Sequence, residues 1–346
     1  MLKRILAVLV IAALSGFQFV QAQTNASKYK IANTFHLEGE GGWDCLSVDD
    51  ATNRLFISHG TMVQVVDAKS GKLLGTISDT KGVHAIALAP DLNKGFTTNG
   101  KDTSVTVFDL KTLAVLTKVP VTGINPDVAV YDKFSQQVFI CNGKSSNMTV
   151  IDAKTNKVTA TIALDGKPEF PATNENGKVF VNIEDKNLIN VIDVKTLKVE
   201  QKWPLAPGEE PSGLAIDAQN NRIFAGCNNK LMVILDAISG KIITTLPIGE
   251  RVDGVAFDPG LRRVYSSNGE GTLTVVQEEN KDTFKVLENA VTQKGARTLT
   301  LNAKTRHLYL PTAEFGPPPP ATAENPKPRP AIKPGTFMIL DVETLN

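Results

Sequence analysis

Little in this chain invites chemistry. Its 346 residues include three cysteines, four histidines and two tryptophans, and no long apolar run follows the first 22 positions. Cys45, Cys141 and Cys227 form an odd set, each in a strand pattern of a different repeat, and no CxxC or Cys/His spacing suits zinc. Buried, unpaired thiols are expected, with no metal and no cofactor. An excess of either charge is also missing: 37 Lys and Arg stand against 36 Asp and Glu, or 35 against 36 without Lys3 and Arg4. So even a balance removes the electrostatic case for nucleic acid or an anionic membrane as partner. No GxSxG, HExxH or calcium loop occurs. Gly95 to Lys101 matches most of a phosphate loop, but Asp102 stands where Ser or Thr is needed. The match also spans a strand and hairpin instead of opening a helix. Helical periodicity is absent after the first 22 residues.

Those first 22 residues read as an export leader. Lys3 and Arg4 precede an apolar run from Ile5 to Leu14, and Val20-Gln21-Ala22 offers small residues at −3 and −1 to a cut before Gln23. No cysteine follows to take a lipid, and the run is too short and interrupted to span a bilayer. A periplasmic or secreted protein, monomeric and without a membrane span, is expected.

What the chain has is a repeat. Each unit of about 40 to 44 residues reads as four short strands rich in Val, Ile and Thr. The second strand carries an aromatic: Phe56, Phe96, Phe139, Phe180, Phe224, Tyr265 and Tyr309. The third ends in Asp67, Asp109, Asp152, Asp193, Asp236 and Asp341, with Gln277 as the departure. Asn99-Gly100, Asn142-Gly143 and Asn268-Gly269 lie between the two marks and suit hairpin turns with positive φ. Such a unit cannot bury both faces alone, but seven stacked radially bury one another.

The fold class expected is therefore all-β, a seven-bladed β-propeller in residues 23–346. Blades fall at about 42–82, 83–125, 126–167, 168–210, 211–251, 252–295 and 296–346. The last unit stops after its third strand. The missing pattern lies at the other end, where Lys30-Ile31-Ala32-Asn33-Thr34-Phe35 matches Lys157-Val158-Thr159-Ala160-Thr161-Ile162. Residues 29–41 should close the ring by completing the last blade.

The aromatic-led second strand followed by Thr and Asn, clearest in Phe96-Thr97-Thr98-Asn99 and Phe139-Ile140-Cys141-Asn142, resembles the YVTN β-propeller family. Pro211-Ser212-Gly213-Leu214-Ala215-Ile216-Asp217 is similar to that family's first-strand opening. The layout resembles its YncE-like periplasmic members over essentially all of residues 23–346. Phe180-Val181-Asn182-Ile183 and Phe224-Ala225-Gly226-Cys227 depart from the tetrapeptide. The resemblance implies an exported propeller and no particular reaction. Trp43-Asp44 is a single WD dipeptide that opens a first strand, so a WD-repeat reading is not supported.

In a propeller, the residues opening the innermost strands ring the channel mouth. Here they are Asp44, His84, Asp127, Glu169, Ser212, Asp253 and Arg297, with the register of Asp127 and Glu169 open by one residue. Converging carboxylates, one histidine and one arginine suit a small polar ligand or a cation, or acid/base work. Wet polar residues at a mouth are also the ordinary condition of the fold. Residues 316–335 hold eight of the 19 prolines between the second and third strands of the last unit, an extended insertion placed to act as a lid or docking arm, or as a simple surface loop. The leading reading is a scaffold that binds a partner or small ligand through this face. The alternatives are a lactonase-like or other hydrolase in the channel, with Asp44, His84 or Glu169 as acid/base groups and Arg297 on an anionic substrate, and an envelope structural protein.

Overall fold

The computed structural model describes residues 27–322 and 328–345; the expected export leader and part of the proline insertion lie outside the described residues. Seven four-stranded antiparallel sheets form a seven-bladed β-propeller. The innermost strands of the first six blades are β2 (Trp43–Asp49), β6 (Val83–Ala89), β10 (Pro126–Asp132), β14 (Pro168–Thr173), β18 (Pro211–Asp217) and β22 (Val252–Asp258). The seventh sheet runs β26 (Thr300–Asn302), β27 (His307–Thr312), β28 (Met338–Thr344) and then β1 (Tyr29–His36). The first strand of the chain is thus the outer strand of the last blade.

The match that pointed to closure holds at single-residue register. In β1 the ladder to β28 skips Ala32, pairing Ile31 with Val342 and Asn33 with Asp341. In the third blade the outer strand β13 (Lys157–Ala163) skips Thr159 in the same way, pairing Val158 with Ile151 and Ala160 with Val150. The closing strand ends at His36, and a glycine-rich link leads into β2. Tyr29 also reaches the sixth blade, where its hydroxyl lies 3.2 Å from that of Tyr265 and accepts from Arg263 at 2.7 Å.

The core is divided among the junctions between blades. Phe56 packs with Ile86 and Phe108 of the second blade, Phe139 with Val179 and Val181 of the fourth, and Tyr309 with Leu46 and Leu55 of the first. Each repeated aromatic is at most 2% exposed and plugs into the following blade. Burial of one such side chain stabilises by about 1.5–3 kcal/mol, so the ring is held by seven similar increments instead of one centre.

The aspartates ending the third strands of the first five blades cap the next turn, whereas Asp341 lies inside β28 and binds Asn33 and His307 instead. Asp67 Oδ1 accepts from the backbone N–H of Lys69 and Ser70, and Asp152 and Asp193 repeat the pattern at Thr155 and Thr196. Gln277 cannot cap in this way, and there the hairpin runs on, with β24 extending from Thr272 to Asn280. The Asn-Gly turns behave differently from the sequence expectation. Gly100, Gly143 and Gly269 do not have positive φ; that conformation falls on Thr103, Ser146 and Gly271 instead. The asparagines lock the hairpins, Asn99 Nδ2 donating to Ser104 and Thr106 Oγ and Asn142 Nδ2 to Asn147 and Thr149.

The three cysteines are buried and unpaired. The proline insertion begins as a short two-stranded outgrowth: Phe315 bridges Ile332, and Gly316 N–H donates to Ala331 O at 2.8 Å. Apart from this single isolated bridge at its base, the described residues of the insertion join none of the seven sheets, in keeping with the extended loop expected. Among the described residues no helix is long and apolar enough to cross a membrane.

Candidate functional site

Asp44, His84, Asp127, Glu169, Ser212 and Asp253 each occupy the second position of an innermost strand, which settles the register of Asp127 and Glu169. At that point every one of these six strands breaks register with its neighbour, between Trp43 and Leu46, Val83 and Ile86, Pro126 and Ala129, Pro168 and Pro171, Pro211 and Leu214, and Val252 and Gly254. A bulge of this kind bends the strand and re-aims a side chain. Residues of the second strands hold the bulges in place. Ser58 Oγ accepts from Asp44 N–H and donates to Cys45 O, Thr98 Oγ1 accepts from Ala85 N–H, and Asn182 Nδ2 donates to Ser212 O. These lie two residues after the repeated aromatic, which gives that position of the repeat a physical task.

Six of the seven residues join into one arc contributed by six blades. His84 Nδ1 is 2.8 Å from Asp44 Oδ2 and 3.6 Å from Asp127 Oδ1. Arg297 spans the other side, its Nη2 3.2 Å from Asp44 Oδ1 and its Nε 2.8 Å from Asp253 Oδ2. Ser212 Oγ then donates to Asp253 Oδ1 at 2.6 Å. The arc is open to solvent, with His84 and Arg297 keeping 29% and 36% of their side-chain surface.

Glu169, from the remaining blade, stands outside this chain of contacts. It pairs at 2.6 Å with Lys167, which also pairs with Glu184. Lys167 and Glu184 were not among the residues expected at the mouth. The available signal was the fourth unit's departure from Asn-Gly: Glu184 occupies the place of Gly100 and Gly143 and opens a short 3-10 turn, Glu184–Lys186.

The glycines of the intact turns make room for the site. A Cβ on Gly100 would fall 2.6 Å from His84 Nε2, and one on Gly143 would lie 3.3 Å from Asp127 Oδ2. Beside the arc, Cys45, Ala85 and Val128, with Phe170 against them, form an apolar cluster separate from the junction cores. Burial, then the nearness of Asp44, Asp253 and Asp127, pushes the Cys45 thiol well above its usual range.

Five carboxylates here face two fixed cations, and their protonation reflects it. Burial, against the opposing pull of His84 and with the charges of Asp44 and Asp253 adding to it, raises Asp127 to about 6. Burial likewise raises Glu169 to about 7, although Lys167 opposes the rise. For His84, burial works against protonation, but the hydrogen bond to Asp44 and the charge of Asp127 outweigh it and the pKa is raised. Groups titrating near neutral pH in a cleft are suited to proton transfer or to binding a cation.

One arrangement among the described residues could hold a metal: Asp44, His84 and Asp127 offer ligand atoms within 4.8 Å of one another. Asp44 is already engaged by His84 and Arg297, so a cation there would have to displace the imidazole hydrogen bond and sit beside a guanidinium.

The residues flanking the proline insertion reach the neighbourhood of the arc through Trp43, the residue before Asp44. Its ring centroid lies 6.2 Å from that of Phe315 and 5.1 Å from that of Phe337.

No protein-family model matches the sequence, and no curated protein matches it. Solved structures do match in shape. A chain of the mitotic checkpoint complex aligns with a TM-score of 0.74 at 12% identity over 99% of each chain. A chain of hydrazine synthase from Kuenenia stuttgartiensis aligns with a TM-score of 0.68 at 16% identity, over 80% of this chain and 94% of that one. The WD40 repeats of RRP9 give 0.70 at 11% identity, over 81% and 90%. At such identities the likeness speaks for architecture, and by its own topology and by these neighbours the chain is a seven-bladed β-propeller.

Proposed function

We propose that this is an exported propeller of the YVTN, YncE-like kind, acting as a binding scaffold whose channel mouth takes a small polar ligand or a protein partner. The observation that carries the reading is the arc from Asp127 through His84, Asp44, Arg297 and Asp253 to Ser212. Side chains from six blades meet there in one connected, solvent-open network. Fixed, mutually oriented donors and acceptors lower the cost of ordering on binding. A protein partner accords with the similarity to a chain of the mitotic checkpoint complex, a multi-protein assembly. Export rests on the leader pattern of residues 1–22.

The test is a thermal-shift screen of small polar compounds and amines, followed by calorimetry on Asp44→Asn, His84→Gln and Arg297→Ala. Each variant should weaken a ligand of the mouth tenfold or more. Unchanged binding in all three would remove the site from consideration.

A second reading, a hydrolase, is favoured by the raised pKa of Glu169, about 7, at the same mouth as the separate His84–Asp44 pair and within the field of Asp127 and Asp253. One of these groups would then move a proton while Arg297 held an anionic substrate. Turnover abolished in His84→Ala would select this reading over the scaffold.

A further inference from the structure

A separate cleft lies where the two ends of the ring meet. It encloses about 380 Å³ between the glycine-rich link after β1 and the returning arm of the proline insertion, and its lining includes Glu40, His59, Ile332, Pro334 and Phe337. That volume is within the range of small-molecule sites. The other blades lack both walls, because only the first and last carry the link and the insertion.

His59 is the feature that points to a ligand. It occupies the place that Asn99, Asn142 and Asn268 hold in other blades, so here the repeat has exchanged its hairpin-locking asparagine for an imidazole. The residue is 1% exposed. Its Nδ1 lies 2.9 Å from Gln64 Oε1, and Gln64 Nε2 donates to Glu38 O at 2.8 Å. With its amide orientation fixed by that carbonyl, Gln64 must accept, so Nδ1 carries the proton. The other ring nitrogen, Nε2, is then a lone-pair acceptor, and it has no partner. Leaving such a group buried and unsatisfied is costly, and a fixed second-nitrogen contact of this kind is how proteins orient an imidazole for a ligand.

The surroundings define what would fit. Phe337 packs against the imidazole with ring centroids 4.3 Å apart and planes tilted by 40°, and beside this buried pair Ile332 and Pro334 supply apolar surface to the cleft. Among the described residues the carboxylate of Glu40 has no ion pair, whereas Lys333 on the opposite wall is already held by Glu314 at 3.0 Å. Gly39 has a φ of +129° and a Cβ there would fall 2.9 Å from the imidazole Cε1, so the link approaches the ring closely only as glycine. The cleft thus combines a buried acceptor, apolar walls and an uncompensated negative charge.

We propose that this cleft is a second binding site, taking a planar cation that carries N–H donors, an amidinium or guanidinium group. One N–H would be received by His59 Nε2 and the charge by Glu40. The group could belong to a small molecule or to an arginine side chain of a partner, and the chemistry of recognition is the same.

The test uses the full chain with benzamidine and with the blocked tripeptide acetyl-Gly-Arg-Gly-amide, followed by calorimetry and by the ring-nitrogen resonances of His59. Binding of either probe, with a shift of the Nε2 signal, supports the site. Tighter binding of the peptide assigns it to a partner, and tighter binding of benzamidine to a small molecule. His59→Asn restores the residue used by other blades and should fold, yet it should weaken the probe tenfold or more. Glu40→Gln should weaken it several-fold. Binding of neither probe, or binding unchanged in His59→Asn, overturns the proposal. So does binding lost in His84→Gln and kept in His59→Asn, which would place the cation at the channel mouth.

Discussion

Asp44 holds His84 with one carboxylate oxygen, at 2.8 Å from Nδ1, while its other oxygen faces Arg297 at 3.2 Å. One aspartate of the first blade therefore fixes a histidine of the second and an arginine of the last. Burial alone would depress the imidazole, and the bond to Asp44 is the largest influence that raises it.

Replacing Asp44 by Asn should accordingly lower the pKa of His84, read from its ring proton resonances across a pH titration. The sign for stability follows from the raised value. The folded state favours the imidazolium, so this contribution is complete below the ordinary histidine pKa of about 6.5 and is lost as pH rises through the higher folded value. His84→Gln should flatten that part of the stability profile. A His84 titration unmoved by Asp44→Asn would refute the coupling.

Gly100 offers a cleaner perturbation. Its φ is not in the left-handed region, so alanine strains no backbone there, but the added Cβ would sit 2.6 Å from His84 Nε2. Gly100→Ala should displace the imidazole and shift its titration while costing less stability than Gly71→Ala. At Gly71, with φ +69°, a Cβ would fall 2.4 Å from the ring of Phe35. Comparable melting temperatures for the two variants would contradict this division of roles.

Ring closure should depend on Phe35. It is 7% exposed in the junction between the last and first blades, beside Tyr309 and Leu55. Phe35→Ala should lower unfolding free energy by about 3–5 kcal/mol, the usual cost of emptying a core aromatic site. Removing residues 1–36 should uncover the edge of β28 and promote self-association, visible as a shift to larger species in sedimentation.

Glu278 gives a second pH signature away from the mouth. The residue is fully buried, its Oε1 accepts from Asn220 at 3.1 Å, and no donor reaches its Oε2, the carboxyl lying within hydrogen-bonding reach of Asp217. Burial, then the charge of Asp217, raises it to about 7. A carboxyl raised in the folded state favours folding below its ordinary pKa, about 4.3, and loses that contribution as pH climbs toward 7. Glu278→Gln should match the parent near pH 4 and melt higher than the parent at pH 8. Parallel melting curves at both pH values would count against the buried acid.

Much of this was legible in residue order. The aromatic and aspartate marks set out the blades, and the kinship of residues 30–35 with residues 157–162 located the closing strand; that both strands bulge at matching positions, Ala32 and Thr159, is seen only in the structure. The opening residues of the innermost strands could be counted off, and six of the seven join one arc; Glu169 stands apart with Lys167, and Arg297 precedes its strand instead of opening it. Period and alternation are local properties that every blade obeys alike. What the tertiary structure alone decided was which groups meet: that Asp44 divides itself between His84 and Arg297, that Lys167 divides itself between Glu169 and Glu184, and that Gly100 supplies room instead of a turn conformation. Those facts depend on the ring's radius, on bulges that turn side chains by fractions of a strand, and on distances between residues up to 253 positions apart. The cleft at His59 is the extreme case. It exists because the two ends of the chain meet there, and no repeat contains both of its walls.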